Sequence, residues 1–173
     1  PDDKIEPFLK IKYIVDELKH YFETVTDCII EGIFLNTYTS GQHGVTGFET
    51  LARLHGAVIN EWINQHNTIP VIFNASHARK FVGITHSCQK AEIQIWVARK
   101  YGYATECQIH DFEAMIEAQN AQLAEALFTK ATWKKHMGQI STYIEGECDL
   151  NEDCADAILL GNSWFEAKKD GKL

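Results

Sequence analysis

The chain has 173 residues, of which 45% are hydrophobic and 23% are charged, and its formal net charge is −8 at pH 7. This length and composition predict one globular domain over residues 1–173, with a sizeable core. No stretch approaches the roughly 20 apolar residues of a membrane span, and no signal-peptide pattern opens the sequence, so we expect no membrane partner. Any contact with nucleic acid would depend on a local basic patch, because the overall charge is acidic.

The cysteines are odd in number and scattered along the chain. They are Cys28, Cys88, Cys107, Cys148 and Cys154. This pattern fits a reducing compartment better than a disulfide framework. We therefore expect an intracellular protein, located in the cytoplasm (of the host, for a viral protein) or in an organelle matrix.

The first two predicted elements are a helix and a strand. Residues 6–24 carry apolar side chains at helical spacing, which predicts an amphipathic helix on a sheet. The Ile-rich run 28–34 then predicts a strand buried on both faces, interrupted by Glu31. An unpaired buried carboxylate destabilises a fold by several kcal/mol. Glu31 therefore either meets a partner, best a metal ion at the end of the sheet, or faces solvent at the strand end.

A second helix and strand complete a predicted parallel pair. Residues 36–47 contain three glycines without the Gly-Lys-Ser/Thr of a phosphate-binding loop, so we expect a surface loop. A helix from position 46 or 47 to about 66 and a short buried strand at 69–73 follow. Such a β–α–β unit brings both strand ends, near Phe34 and Asn74, to the sheet edge where ligands bind in open α/β sheets.

Cations follow the second strand. Arg79 and Lys80 lie in the segment 75–83, and Lys90 opens a predicted helix over 90–101. Cations near a carboxylate site suit a phosphate-bearing substrate. Without a further pattern, an ordinary solvated surface is the favoured explanation of these cations.

Helices dominate the remainder of the chain. Residues 109–146 have the composition of a helical hairpin, and the last helix is predicted from about 152 to 169. Asp153 and Asp156 are three residues apart, so they lie on one face of that helix and repel each other unless a cation joins them. Alternatively, Asp153 only complements the helix dipole.

The order of these motifs resembles that of the RuvC-type Holliday junction resolvases, which are nucleases of the RNase H-like fold. The motifs are Ile-Glu-Gly-Ile-Phe at 30–34, Ala-Arg-Leu-His-Gly-Ala-Val at 52–58, Ala-Arg-Lys-Phe-Val-Gly at 78–83, Gln-Lys-Ala-Glu-Ile-Gln-Ile-Trp-Val at 89–97 and Asp-Cys-Ala-Asp-Ala at 153–157. Their order and spacing agree over residues 1–104 and 150–162. The resemblance implies an α/β fold with a mixed sheet flanked by helices and a helical insertion at about 105–149.

The resemblance also implies roles for individual residues. Glu31, Asp153 and Asp156 match carboxylates that bind two Mg²⁺ ions, for which Mn²⁺ can substitute. Lys90 matches a catalytic lysine that contacts phosphate. Lys80, with its neighbour Arg79, matches a DNA-binding position, and Phe34 matches an aromatic residue that opens the junction or stacks on its bases. We therefore expect a homodimeric, structure-selective endodeoxyribonuclease that resolves four-way or branched DNA junctions.

The chain departs from the family pattern in two places. The family's fourth metal-binding carboxylate lies on an N-terminal hairpin, and this chain resembles the stretch after that hairpin. We therefore expect the N-terminal strands to be absent from it; the alternative is that the protein has lost this ligand. The insertion suggests a phage, viral or organellar branch. The lysines of the insertion, Lys130, Lys134 and Lys135, offer further DNA contacts.

Three alternatives remain. A non-catalytic protein that binds branched DNA would keep the same motifs without a full metal set. A zinc site could form from Cys107, His110, Cys148 and Cys154, although their spacing is irregular. A catalytic cysteine is a weaker hypothesis, because no cysteine has a His partner in a recognisable motif.

Overall fold

The computed structural model describes residues 6–32, 42–84 and 89–171, and for residues 42–47 it describes the backbone alone. In chain order these ranges contain α1 (Pro7–Phe22), β1 (Ile29–Glu31), α2 (Gln42–His66), β2 (Val71–Phe73), α3 (Ala75–Phe81), α4 (Lys90–Tyr101), α5 (Glu106–Ala124), α6 (Lys130–Cys148) and α7 (Glu152–Lys169). The chain divides into two compact units, residues 1–74 and 75–173.

The first unit contains the predicted β–α–β arrangement. Strands β1 and β2 pair in parallel, with Ile30 opposite Ile72, and α2 connects them. Helix α1 packs on α2, where the buried Trp62 meets the edge of Phe22 at a ring-centroid distance of 5.3 Å. His66 stacks on Trp62 and donates from Nε2 to the Phe22 carbonyl at 2.9 Å. The parallel strand pairing predicted from the sequence is confirmed.

Strand β1 differs from the prediction in its burial. Ile29 and Ile30 are half-buried and Glu31 is exposed, so β1 is not buried on both faces. Strand β2 likewise leaves Ile72 48% exposed. Helix α2 begins at Gln42, earlier than predicted, because residues 42–47 continue the helix instead of forming a loop. The rest of the predicted loop, and Phe34, lie outside the described residues.

The second unit is built from helices α3–α7. Helix α4 packs against α5, α6 and α7, and α3 packs on α7. Only Glu92 and Trp96 are partly exposed in the interior of α4, between positions 91 and 98. The core consists of the buried apolar side chains of α4 and those facing it, which include Ile93, Ile95, Val97, Ile109, Phe112, Ile116, Met137, Ile140, Ile144 and Leu159.

The predicted mixed sheet of an RNase H-like fold is wrong for the residues described. These residues contain two strands of three residues each, paired in parallel, and one parallel pair cannot make a mixed sheet. The reason is that an apolar helical stripe can be buried against other helices as well as against a sheet. Helices α4–α7 bury their stripes on one another.

Residues 105–149 are helical, but they are not an appendage. Helices α5 and α6 pack together and each packs on α4, so they supply part of the core of the second unit. Whether this segment is an insertion, and whether the whole chain is one domain, stay predictions. Within the described ranges, no helix combines the length and the hydrophobicity that crossing a membrane requires.

Candidate functional site

The start of α7 presents three acidic side chains. Asn151 caps the helix, with its Oδ1 accepting from the Cys154 N–H at 2.7 Å. Glu152 and Asp153 therefore lie in the first turn, where carboxylates interact favourably with the helix dipole, and Asp156 lies one turn later.

Lys90 connects these acids to α4. Its Nζ lies 2.8 Å from Oε1 of Glu152 and 3.5 Å from Oδ1 of Asp153. The hydrogen bond to Glu152 is the main reason that the pKa of Lys90 is raised above its ordinary value. Lys90 is the first residue of α4, where a capping box between Gln89 and Glu92 fixes the helix start. The two capped helix starts thus bring one cation to the acids.

Asp156, like Glu152, is a half-buried acid of the cluster. Burial raises its pKa, and this effect outweighs the positive charges of Lys90 and Arg79, which lower the pKa. The neighbouring carboxylates of Asp153 and Glu152 raise it further. The site therefore holds a carboxylate whose charged form is disfavoured by its surroundings.

A buried polar network supports the cluster from below. The fully buried Gln94 of α4 donates from Nε2 to the carbonyl oxygens of Leu150 at 2.8 Å and Ser141 at 3.3 Å. Ser141 Oγ lies 2.7 Å from Gln94 Oε1 and 3.5 Å from Oε2 of Glu152. Since Glu152 binds Lys90, hydrogen bonds and ion pairs run continuously from the core to the candidate site.

Helix α3 brings the remaining cations. Oγ of the buried Ser163 in α7 lies 2.7 Å from the carbonyl oxygen of Ala78, which ties α3 to α7. Arg79 follows directly and is half-buried, and its charge acts on Asp156. Lys80 is exposed on the same short helix.

The residues predicted from the sequence fall into three groups. Lys90, Asp153 and Asp156 lie together, and Arg79 acts on Asp156, while Lys80 is exposed on α3. Glu31 belongs to the first unit, where it ends β1 with an exposed side chain and its carbonyl oxygen accepts from His55 Nε2 at 3.0 Å. Phe34 lies outside the described residues.

Three contributors were missed by the sequence interpretation: Glu152, Gln94 and Ser141. The position of Gln94 did carry a signal, since it stands inside the apolar run 93–98 of a helix. A helix that is apolar on nearly every side is buried, so a glutamine within it needs hydrogen-bond partners. Glu152 and Ser141 gave no comparable signal.

The acids of α7 form only part of a possible metal site. Asp153 and Asp156 carry the oxygen ligands that Mg²⁺ prefers, but Glu152 is bound by Lys90. In the part of the chain that the structure describes, no group of three or more His, Cys, Asp or Glu side chains is placed to hold a metal ion. This applies to the four residues of the zinc hypothesis as well.

Comparisons of the chain with models of protein families, with curated proteins and with solved structures found no significant match.

Proposed function

We propose that this protein is a structure-selective endodeoxyribonuclease that cuts the DNA backbone at four-way (Holliday) or other branched junctions with the help of divalent metal ions. The proposal rests on the charged cluster at the start of α7 and on the resemblance of the motifs to junction resolvases. A homodimer would supply the two active sites that paired nicks require.

The observation that carries the proposal is the half-buried Asp156 within its charged cluster. Burial raises the pKa of this carboxyl, and two further acids lie close to it. Such an arrangement weakens the fold, and groups perturbed by burial and by specific charged partners concentrate at functional sites. The pair Asp153 and Asp156 gives hard oxygen ligands one helical turn apart.

The cations of the site have a role on the substrate. Lys90 lies beside the acids, where its ammonium would bind the phosphate next to the bond that is cut. Arg79 and the exposed Lys80 would hold neighbouring phosphates and so set the register of the DNA. The shape of the junction, more than its base sequence, would provide selectivity.

Divalent ions, when bound, supply a nucleophilic water and stabilise the leaving oxygen. The residues that the structure describes contain no group of three or more side chains placed to hold such an ion, so Asp153 and Asp156 alone do not make a complete ligand set. We therefore assign to these residues only the binding of cations and phosphate, and we derive no step of the reaction through the metal.

A second candidate is a non-catalytic protein that binds branched DNA. The contacts of Lys90 favour it, because this lysine already neutralises Glu152 and part of the charge of Asp153. The absence of a three-ligand group from the described residues points the same way.

Cleavage of a synthetic four-way junction by the full-length protein tests the proposal. We expect Mg²⁺-dependent nicking on denaturing gels, and we expect Asp156→Asn to lower the cleavage rate by roughly 100-fold or more. Junction affinity, measured in Ca²⁺, should change little. Asp111→Asn is the matched control, because it removes the same charge from an exposed position on α5.

The two candidates predict different results. Junction binding without nicking in Mg²⁺ or Mn²⁺, together with no bound Mn²⁺ by electron paramagnetic resonance, would establish the binding protein and reject the nuclease. If the Asp156→Asn variant nicks the junction as fast as the Asp111→Asn control, the start of α7 is not part of the active site.

A further inference from the structure

The first half of α6 is a cationic segment in an acidic chain. Residues 126–144 contain three lysines and one histidine and no Asp or Glu, whereas the whole chain has a net charge of −8. We call the exposed surface formed by Lys130, Lys134 and Lys135 the α6 lysine face. It lies on the helix that supplies Ser141 to the network below the candidate site.

The three lysines are close together and exposed. Lys130 and Lys134 are one helical turn apart, and Lys135, the next residue, lies about 100° further around the helix. Around them, Ala131 and Gly138 are also exposed, and no atom lies within 4 Å of the place where a Gly138 side chain would begin. The surface beside the lysines is therefore open at Ala131 and Gly138.

The stability of α6 does not explain these lysines. The first turn of α6 contains no acidic residue, and cations near a helix N-terminus oppose the helix dipole. Lys130 and Lys134 also repel each other at this spacing. In the part of the chain that the structure describes, none of the three lysines forms an ion pair. An external anion would offset this concentrated positive charge.

The surface is held in a defined shape. Oγ1 of Thr129 caps α6 by accepting from the Thr132 N–H at 3.1 Å. Phe128, just before the helix, stacks on His136 with ring centroids 4.9 Å apart and planes 4° apart. Trp133 Nε1 donates to Asn120 of α5 at 3.0 Å. These contacts fix the first two turns of α6, so little order has to be gained on binding.

We propose that the α6 lysine face binds the sugar-phosphate backbone of a duplex arm of branched DNA, as a second contact besides the site at the start of α7. This inference rests on the proposed function, because that function supplies the DNA. Each strand of a duplex carries one phosphate per roughly 3.4 Å of helix axis, so several phosphates lie within reach of lysines one turn apart. At about 0.1 M salt, the field of exposed acids more than roughly 10 Å away is largely screened.

The salt dependence of binding tests this inference. Anisotropy of a labelled four-way junction, titrated in Ca²⁺ between 50 and 200 mM KCl, gives the slope of log affinity against log salt. Each phosphate contact contributes about 0.9 to this slope. Changing Lys130, Lys134 and Lys135 together to Gln should lower the slope by about 2 to 3 and raise Kd at least roughly tenfold at 150 mM KCl.

A second triple variant controls for net charge. Lys12, Lys168 and Lys169 lie on α1 and α7, and changing them to Gln removes the same charge elsewhere. We expect this variant to keep the slope of the natural protein. Circular dichroism should show that the α6 variant melts no lower than the natural protein, because it removes repelling charges.

The outcomes separate this inference from the nuclease proposal. A slope that depends on the three lysines, in a protein that does not nick DNA, supports the α6 contact and rejects the nuclease. Nicking with an unchanged slope in the α6 variant overturns the contact and leaves the nuclease. If polyglutamate displaces the labelled junction as well as duplex DNA does at the same concentration of charge, the assignment of this surface to DNA is wrong.

Discussion

One buried amide determines how three helices meet in the second unit. Gln94 of α4 binds the carbonyl of Leu150, just before α7, and pairs with Ser141 of α6. A leucine could fill a similar volume, but it would leave these buried polar groups without partners. A buried group that loses its partner destabilises a protein more than the hydrogen bond itself stabilises it.

Gln94→Leu should therefore lower the free energy of unfolding by about 2–4 kcal/mol, because the Leu150 carbonyl loses its Gln94 donor and Ser141 Oγ keeps only its 3.5 Å contact with Glu152. Urea unfolding followed by circular dichroism at 222 nm measures the change. Gln139→Leu is the control, since Gln139 is exposed on α6 and its replacement should alter stability by no more than about 0.5 kcal/mol. Equal losses in the two variants would contradict the network.

Ala126 has a strained backbone. It follows α5 with a φ of 57°, in the left-handed region that glycine adopts without a steric penalty. Ala126→Gly relieves this strain in the folded protein, but glycine also makes the unfolded chain more flexible, which opposes the gain. The net effect should be a rise of about 0.5–1 kcal/mol in the free energy of unfolding. The same change at an exposed position in the interior of α5, Ala118→Gly, should have the opposite sign. A loss of stability in both variants would refute this account, and thermal melts distinguish the outcomes.

At the scale of elements, the helices near the candidate site were the most predictable. The prediction of 90–101 matches α4, and the prediction of 152–169 matches α7. Each is bounded by local signals, the Gln89–Glu92 capping box and Gly102 for α4 and Asn151 for α7. The short helix α3 was not predicted, because seven residues carry too few helical repeats to show a period.

Asp156→Asn should stabilise the protein at neutral pH. Burial raises the pKa of this carboxyl above its ordinary 3.8, so between 3.8 and the folded-state value the folded protein binds more protons than the unfolded chain. The free energy of unfolding therefore falls as pH rises through this window. The asparagine variant avoids this loss, and we expect its Tm at pH 7 to be about 2 °C higher.

The gain should shrink as the pH falls through the folded-state pKa and vanish below 3.8, where both states are protonated. Thermal melts at several pH values, compared with Asp111→Asn, measure this trend. A stability gain that persists unchanged at low pH would place its origin outside the titration of Asp156.

At the scale of the whole molecule, the pairing of two neighbouring strands was predicted correctly from the sequence, but the kind of element that packs against the later helices was not. The parallel pairing of β1 with β2 follows from two short apolar runs separated by a helix. The mixed sheet implied by the family resemblance was wrong for the described residues, in which Ile93, Ile109 and Ile140 belong to one core formed by helices. Helical periodicity shows which face is buried and not which kind of element covers it.

The proposed paired nicking predicts a dimer. Sedimentation velocity at micromolar concentration should give twice the 19.7 kDa mass of the single chain, because two symmetric cuts need two symmetric sites. A species that remains monomeric when saturated with junction DNA would contradict paired cleavage by a homodimer. The measurement needs no active enzyme, so it is independent of the cleavage assay.

The buried polar network of Gln94, Ser141 and Leu150 has a consequence for hydrogen exchange. Backbone amides exchange with deuterium only when their hydrogen bonds open. Segments joined by the same buried hydrogen bonds tend to open together. Amides in the middle of α4, in the second half of α6 and at the start of α7 should therefore exchange slowly and in concert. Gln94→Leu would then uncouple the three segments, so that each releases its deuterium label at its own rate.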